Sequence, residues 1–160
     1  MVIRPLRPEE GPAARELVLA VAARLFQADA VETFIARHRE GLADVDAFQT
    51  GYAPPKGLFL VAYDGDRLVG TGAIRRLDDA TAELRRMWLL EPYQGRGIGY
   101  RLWSDLAGFA RRAGYRRVRL TADAASTRAI VFYERLGFQP IPPYNDSNDA
   151  ICMELVFDDH

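Results

Sequence analysis

The sequence predicts an α/β (α+β) protein in which helices pack on one mixed sheet. Short runs rich in β-branched and aromatic residues are bounded by glycine turns, and other segments place apolar residues three or four positions apart. The chain has 160 residues, of which 49% are apolar and 27% charged. This length and composition predict a single globular domain over residues 1–160, with its own hydrophobic core.

The first half of the chain predicts a strand, a helix and then a β-hairpin. Residues 2–7 indicate the strand and residues 8–26 the helix. The apolar stripe of this helix is expected to be Leu17, Val21, Ala22 and Leu25. Ile35 and Leu42 suggest a further helical piece, and the stretch from Thr50 to Gly57 is typical of a proline-stiffened loop.

The hairpin is predicted by Asp64-Gly65-Asp66 between two β-rich runs, because Asp-Gly turns are strong local hairpin signals. Gly70 and Gly72 lie inside the second run and suggest a bulge or a close backbone neighbour. Residues 81–90 are predicted to form a third strand, which leads directly into a glycine-rich segment.

The second half alternates helices and strands. A helical stripe starts at Ile98 and ends at Gly114. Its members are Ile98, Leu102, Leu106, Phe109 and Ala113. Residues 116–122 indicate a strand, Ser126 is a candidate N-cap for a helix that Gly137 ends, and residues 138–141 and 151–157 close the sheet.

Composition excludes several classes of function. The formal net charge of -1 creates no field that attracts nucleic acid or an anionic membrane, and the basic segment from Arg111 to Arg119 is typical of a solvated helix end. Cys152 is the only cysteine, and His38 and His160 lack ligand spacing, so no metal site is expected. No apolar run reaches membrane-spanning length and no signal peptide is apparent, which indicates the cytoplasm.

The glycine-rich segment EPYQGRGIG, residues 91–99, is an anion-binding candidate. A strand, a glycine turn and a helix start leave backbone N–H groups unpaired beside the positive end of the helix dipole. It is not a P-loop, because Tyr100 and Arg101 stand where Lys and Ser/Thr would be needed. It is not a dinucleotide fingerprint either, because Leu102 replaces the third glycine.

The remaining pattern, Gln94-x-x-Gly97-x-Gly99, resembles the acyl-CoA pyrophosphate loop of the GNAT superfamily of N-acyltransferases. Three more segments are similar to that family and follow in the family's order: IRPLRPEE (3–10), ELRRMWLL (83–90) and AIVFYERLGF (129–138). The resemblance covers residues 2–157 and is strongest over 58–138. It implies a mostly antiparallel sheet of six to seven strands with a splayed central strand pair.

The resemblance also implies binding residues and catalytic residues. Cofactor contacts, mostly through the main chain, would fall on Met87, Trp88, Leu89, Gln94, Gly95, Arg96, Gly97, Ile98, Gly99, Ser126 and Tyr133. Arg96 is equally well explained as a solvated side chain. Ser126 stands where members often have asparagine, so an amide contact to the coenzyme A arm is lost there.

Tyr133 would act as the acid that donates a proton to the leaving thiolate, although its spacing alone fits a core tyrosine. Glu83 would be the general base, although an exposed carboxylate at a strand end is an equal alternative. The Leu89 N–H would stabilise the oxyanion. Glu134 is a competing carboxylate, and its neighbour Arg135 favours a solvated pair.

The implied activity is direct transfer of an acetyl group from acetyl-CoA to the primary amine of a small molecule in a ternary complex. The implied reaction needs no metal, and a homodimer is one possible oligomeric state. The acceptor would lie between residues 26–55 and 142–149, where Asp146 and Asp149 hint at a cationic amine. Two alternatives remain: a non-catalytic acyl-CoA-binding sensor or partner subunit, and a kinase or other nucleotide-binding enzyme, which the missing P-loop disfavours.

Overall fold

A computed structural model describes residues 1–25, 45, 48–52, 54–124, 126–145 and 150–157. The strands are β1 (Val2–Pro5), β2 (Leu58–Asp64), β3 (Arg67–Arg76), β4 (Thr81–Leu89), β5 (Arg117–Asp123), β6 (Gln139–Ile141) and β7 (Ala150–Val156). The helices are α1 (Gly11–Leu25), α2 (Phe48–Gly51), α3 (Ile98–Arg112) and α4 (Thr127–Leu136), and 3-10 turns cover Pro8–Glu10 and Glu91–Tyr93. The predicted order of strands and helices is confirmed for these residues.

Two predicted segments need comment. The helical piece expected around Ile35 and Leu42 lies outside the described residues. The loop predicted from Thr50 begins later, because α2 continues to Gly51.

The seven strands form one sheet in the order β1-β2-β3-β4-β5-β7-β6. Every neighbouring pair is antiparallel except β4 and β5, which run parallel. Their pairing covers only Thr81–Glu83 on β4 and Arg117–Arg119 on β5. Beyond Glu83 the two strands diverge, and a wedge opens between them in the middle of the sheet. The predicted splayed strand pair is therefore confirmed.

Both faces of the sheet carry a hydrophobic core. On one face α3 packs with Ile98, Leu102 and Leu106, as its spacing predicts. The same helix also buries Trp103, Ala107 and Ala110, whereas Phe109 and Ala113 are only half-buried. Gly114 and Gly137 adopt positive φ angles of 94° and 106° just past α3 and α4, which explains why these helices end there.

On the opposite face, α1 buries Ala14, Leu17, Val18 and Leu19. Leu17 is buried as predicted, whereas Val21 is only half-buried, because this part of the helix lines the wedge with Val18–Val21. The side chains of Ala22 and Leu25 lie outside the described set. No helix in the described ranges is long and apolar enough to cross a membrane.

Candidate active site

The wall of the wedge is shaped by a bulge in β4. Thr71 pairs with Trp88 but Ala73 pairs with Arg85, so β4 carries one extra residue at this point. Arg86 takes a φ of 58°, and its carbonyl accepts a hydrogen bond of 2.7 Å from the Oγ1 of the fully buried Thr71. The bulge predicted from Gly70 and Gly72 is confirmed.

The same two glycines also have close neighbours, but the nearest atoms belong to side chains, and a backbone atom, the Trp88 carbonyl oxygen, is close only to Gly70, at 3.2 Å from its Cβ position. A Cβ on Gly70 would lie 2.8 Å from Leu89 Cδ1, and one on Gly72 would lie 2.6 Å from Met87 Sδ. The missing side chains on β3 therefore leave room for the side chains of β4 just beyond the bulge.

The bulge sets the direction of the backbone at Leu89. The Leu90 N–H donates to the Val69 carbonyl at 2.9 Å, towards β3. Because N–H directions alternate along a strand, the Leu89 N–H points away from β3 and into the wedge. The Leu89 carbonyl lies on the same side and accepts a 3.0 Å hydrogen bond from Gln94 Nε2. Among the described residues, the Leu89 N–H therefore has no strand partner and is a main-chain donor that the wedge presents at the end of β4.

The glycine segment forms the mouth of the wedge. Gly95 and Gly97 have positive φ angles of 79° and 83°, and Gly97 is the N-cap of α3 without any side-chain cap. The first hydrogen bond of the helix runs from Arg101 N to Gly97 O, so the preceding N–H groups have no acceptor within the helix. These donors and the helix dipole create a positive, cavity-facing cradle suited to a phosphate group.

Two side chains fix this cradle in place. The Tyr93 hydroxyl donates to Asp64 Oδ2 at 2.7 Å, which ties the start of the segment to the hairpin turn. A Cβ on Gly99 would lie 3.3 Å from the ring of Phe132, so glycine lets α4 approach the start of α3 closely. Arg96 is exposed, with its guanidinium 5.2 Å from the centre of the Tyr93 ring.

The wedge and the mouth form one cavity of about 1030 Å³. It is lined by residues 84–91 of β4 and its exit, by the cradle, by the end of β5, by the first turns of α4 and by Val18–Val21 of α1. Of the predicted cofactor contacts, the lining contains Met87, Trp88, Leu89, Gln94, Gly95, Gly97, Gly99, Ser126 and Tyr133. Arg96 and Ile98 belong to the same segment without lining the cavity; Ile98 is buried in the core.

Ser126 is the N-cap residue of α4, as expected, but its side chain makes no capping hydrogen bond. The residue is buried and faces the cavity, so its hydroxyl is available to a ligand there.

Tyr133 lies on α4 at the inner end of the cavity. Its ring packs against Phe132 and Phe138 at centroid distances of 5.4 and 5.8 Å. Its hydroxyl has no hydrogen-bond partner within the part of the chain that the structure describes. Although the ring is partly accessible from the cavity, desolvation raises the pKa of this hydroxyl far above its ordinary value. Tyr133 therefore stays protonated at neutral pH.

Glu83 lies at the apex of the wedge and is buried, with 6% of its surface exposed. Arg75 on β3 contacts its Oε1 through Nε at 2.9 Å and Nη2 at 2.8 Å. The Tyr144 hydroxyl donates to its Oε2 at 2.8 Å. The alternative of an exposed carboxylate at a strand end is therefore wrong, because Glu83 is buried and its two oxygens bond Arg75 and Tyr144.

Tyr144 is the residue that sequence reasoning missed. It lies between β6 and β7, and its hydroxyl accepts a 3.2 Å hydrogen bond from Thr121 Oγ1, which lines the cavity. Burial is the main reason why the pKa of the Tyr144 hydroxyl is raised far above its ordinary value. A directed chain thus runs from the cavity through Thr121 and Tyr144 to Glu83. No periodicity could have revealed it, because Tyr144 and Glu83 are 61 positions apart.

The remaining predicted features contribute little to the cavity. Glu134 is exposed on α4 and does not line it. Asp146 and Asp149 lie outside the described residues. Among the described residues no cluster of histidine, cysteine or carboxylate side chains is arranged to hold a metal ion.

A mixed sheet split between two parallel strands, with a phosphate-type cradle at the mouth of the split, defines the class of acyl-CoA-dependent transferases. Residues 22–138 match the model of the Acetyltransferase (GNAT) family, and the chain belongs to that family. The residue pattern that suggested the family is therefore confirmed, and the protein is a GNAT-type acetyltransferase.

Individual relatives agree with this assignment. A protein of Mycobacterium bovis named as an uncharacterized N-acetyltransferase is 30% identical over 125 residues, which is 75% of this chain and 80% of the relative. The fold is similar to PaiA N-acetyltransferase of Thermoplasma acidophilum, solved in complex with coenzyme A, with a TM-score of 0.79, 20% identity and 98% of each chain covered. A GNAT acetyltransferase of Staphylococcus aureus gives a TM-score of 0.82 at 18% identity, with 96% of each chain covered.

Proposed function

We propose that the protein transfers an acetyl group from acetyl-CoA to the primary amine of a small molecule, by direct attack in a ternary complex. The observation that carries the proposal is the wedge itself. Leu89, Tyr133 and the α3 cradle all line one cavity of about 1030 Å³, at the end of β4 that β5 does not cover. The coenzyme A complex of the T. acidophilum protein of similar fold supports the choice of cofactor.

The residues present fit coenzyme A. The cradle offers N–H groups that have no acceptor within the helix, and none of the described residues lies within 4 Å of a Cβ position on Gly97, which leaves space for a phosphate. The edge of β4 beyond Glu83 has no partner from β5, so it can bond an amide-containing arm in the manner of an extra strand. Met87, Trp88 and Leu89 would supply these main-chain contacts.

The acceptor amine must lose a proton before it can attack, and the hydrogen-bond chain provides the route. An amine proton passes to Thr121 Oγ1, the Thr121 proton passes to Tyr144, and the Tyr144 proton passes to Glu83 Oε2. Arg75 holds the other carboxylate oxygen and fixes the orientation of Glu83. Glu83 is thus the final base, and it acts through Thr121 and Tyr144, because it does not itself line the cavity.

Bond formation between the amine nitrogen and the thioester carbon places negative charge on oxygen, which the Leu89 N–H stabilises. The carbon–sulfur bond then breaks and releases a thiolate, whose conjugate thiol has a pKa of about 8.5 in water, and this thiolate takes up the second proton, which the nitrogen loses as the amide forms. A phenol with a raised pKa would be a poor acid for such a thiolate in water. The desolvation that raises the pKa of Tyr133 also raises that of the thiol, so Tyr133 stabilises the leaving group as a hydrogen-bond donor.

The first test is thermal-shift measurement with acetyl-CoA, coenzyme A and ATP, followed by thiol release with a panel of amino acids, polyamines, aminoglycosides and peptide N-termini. We expect stabilisation by both coenzyme A species but not by ATP, and thiol release that depends on one class of amine. Stabilisation without release by any amine would favour the non-catalytic acyl-CoA-binding sensor. Stabilisation by ATP alone would overturn both coenzyme A proposals.

The second test separates the two tyrosines. Tyr133→Phe is expected to preserve acetyl-CoA affinity and to lower kcat. Tyr144→Phe interrupts the chain to Glu83 and is expected to lower kcat while moving the rising limb of the pH–rate profile to higher pH. Tyr63→Phe, which removes a hydroxyl that bonds Glu10 and does not line the cavity, is the matched control. Turnover equal to that of the control would refute the role of the tyrosine concerned.

A further inference from the structure

The face of the sheet around Glu83 carries a row of charged side chains on four adjacent strands. Arg75 is opposite Glu83, Glu83 is opposite Arg119, and Arg119 is opposite Glu154 in the strand register. The signs alternate along the row. Arg75 pairs with Glu83, and Arg119 pairs with Glu154 at 2.7 Å. Each carboxylate in the row therefore already has its own guanidinium partner.

Arg85 adds a positive charge to this row without a matching carboxylate. It is two positions beyond Glu83 on β4 and opposite Ala73, whose side chain packs in the α1-side core, so it lies on the same face. Its Nε is 3.9 Å from Glu83 Oε1, an oxygen that Arg75 already contacts at 2.8 Å. The guanidinium makes no other ion pair or hydrogen bond with the residues that the structure describes.

Arg85 also lines the cavity, and 30% of its side chain is exposed. Among the described residues of this row, three guanidinium groups face two carboxylates, which leaves one positive charge in surplus. Two carboxylates line other parts of the cavity, Glu91 after β4 and Asp123 at the end of β5, and neither of them is free. A cation entering near Glu83 would meet like charge, whereas an anion would find a partly exposed guanidinium.

We infer that the acceptor is an amine that also carries a carboxylate, and that Arg85 binds this carboxylate. The inference rests on the proposed function and narrows its substrate class from amines in general to amino-acid-like acceptors. The planar fork of arginine matches a carboxylate with two parallel hydrogen bonds, which a single ammonium group does not offer. Arg85 is thus a specificity-determining residue, and it takes no part in the proton route through Thr121 and Tyr144.

The test compares L-amino acids with their carboxamides as matched pairs, and includes spermidine as a cation. Initial rates of thiol release are expressed per concentration of free amine, because an acid and its amide differ in the pKa of the amine. For the native protein we expect kcat/KM to be at least tenfold higher for the best acid than for its amide. A preference for the amide or for spermidine would overturn the inference.

Variants assign that preference to one side chain. Arg85→Gln is expected to raise KM for the acid at least tenfold. KM for acetyl-CoA and KM for the amide should change less than twofold. Arg85→Lys should restore part of the affinity for the acid. Arg76→Gln is the matched control, because Arg76 lies on β3 outside the cavity and pairs with Asp79 at 2.7 Å. Equal losses for acid and amide in Arg85→Gln would show a structural role and overturn the inference.

Binding measurements separate the failure of this inference from the failure of the proposed function. The same acids are titrated into native and Arg85→Gln protein saturated with coenzyme A. Binding that depends on Arg85 without any thiol release would support the carboxylate site and refute the transferase proposal. Thiol release with amides alone would support the transferase proposal and refute the carboxylate site. Neither binding nor release with any acid would overturn the inference.

Discussion

Thr71 is expected to control catalysis through the bulge that it holds. Its hydroxyl is the donor to the Arg86 carbonyl, at 2.7 Å, and the residue is fully buried. Thr71→Val keeps the shape of the side chain and removes only the donor. Arg86, whose φ is 58°, then loses a hydrogen bond that supports its left-handed conformation, a conformation that costs about 1–3 kcal/mol.

The expected loss of stability follows from the lost hydrogen bond to the Arg86 carbonyl. Removing the donor to a buried acceptor costs about 1–3 kcal/mol, and the Arg86 carbonyl lies in a partly buried position, so a value near 1.5 kcal/mol is expected. For a chain of 160 residues, about 2–4 °C per kcal/mol places the fall in Tm at roughly 3–6 °C.

The expected loss of turnover is larger than this stability change implies. Relaxation of the bulge is expected to change the direction of the Leu89 N–H. Complete loss of an oxyanion donor lowers kcat by about 10²–10³. Misalignment of the Leu89 N–H is therefore expected to lower kcat by at least about tenfold. Thr71→Ser is the control, because it keeps the donor and gives up a buried methyl group at a cost of about 1 kcal/mol. Both variants should therefore unfold more easily, whereas only Thr71→Val should lose activity.

Tm from thermal unfolding, affinity for coenzyme A from titration calorimetry and kcat from thiol release measure the three quantities separately. Equal kcat values for the valine and serine variants would refute the link from Thr71 to Leu89. They would show that something other than this hydrogen bond keeps the bulge in place.

Two further predictions concern the first turn and the cradle. The Glu10 carboxylate accepts hydrogen bonds from Arg4, and these hold its pKa at about 2, below its ordinary value of 4.5. A carboxyl whose pKa is lowered on folding stabilises the protein above pH 4.5 and loses that effect as pH falls towards 2. Glu10→Gln should therefore reduce the fall in the urea-unfolding free energy between pH 5 and pH 3 by about 1 kcal/mol, after allowance for screening. An identical effect of the exposed Glu9→Gln would contradict this. Gly97→Ala and Gly65→Ala both place a side chain at positive φ with no close neighbour, so each should cost about 1–2 kcal/mol of stability. Only Gly97→Ala should also weaken coenzyme A binding in a titration, and equal affinities would argue against the cradle.

Most of the fold was predictable because its signals are local. The hairpin follows from the turn at Gly65, and α3 follows from a regular apolar stripe ended by Gly114. Gly70 and Gly72 predicted the bulge because glycine within a strand has few other uses. In contrast, the buried face of α1 depends on what the helix covers, and a helix that packs on a sheet and also lines a cavity does not show one clean stripe.

The candidate site was predictable only where its groups belong to the main chain. The cradle and the end of β4 are set by backbone geometry, which short glycine patterns encode. The surroundings of Glu83 depend on long side chains that meet across four strands, and no pattern in the sequence relates Arg75 or Tyr144 to it. Whether a carboxylate is exposed or locked in an ion pair is decided by such tertiary contacts, and this is why the two alternatives for Glu83 stayed open.

The position of Glu83 follows from the topology of the sheet. It is the last residue of β4 with neighbours on both sides, Arg75 on β3 and Arg119 on β5, so it stands where the wedge begins. Thr121 lies two residues beyond Arg119 on the diverging β5, which places its hydroxyl on the cavity side of that apex. Tyr144 bonds one residue on each strand and so spans the wedge at its narrowest point. Under the proposed function, the proton route through Thr121 and Tyr144 therefore starts where β4 and β5 begin to diverge, so the same split of the sheet would admit the cofactor arm and open the path to Glu83.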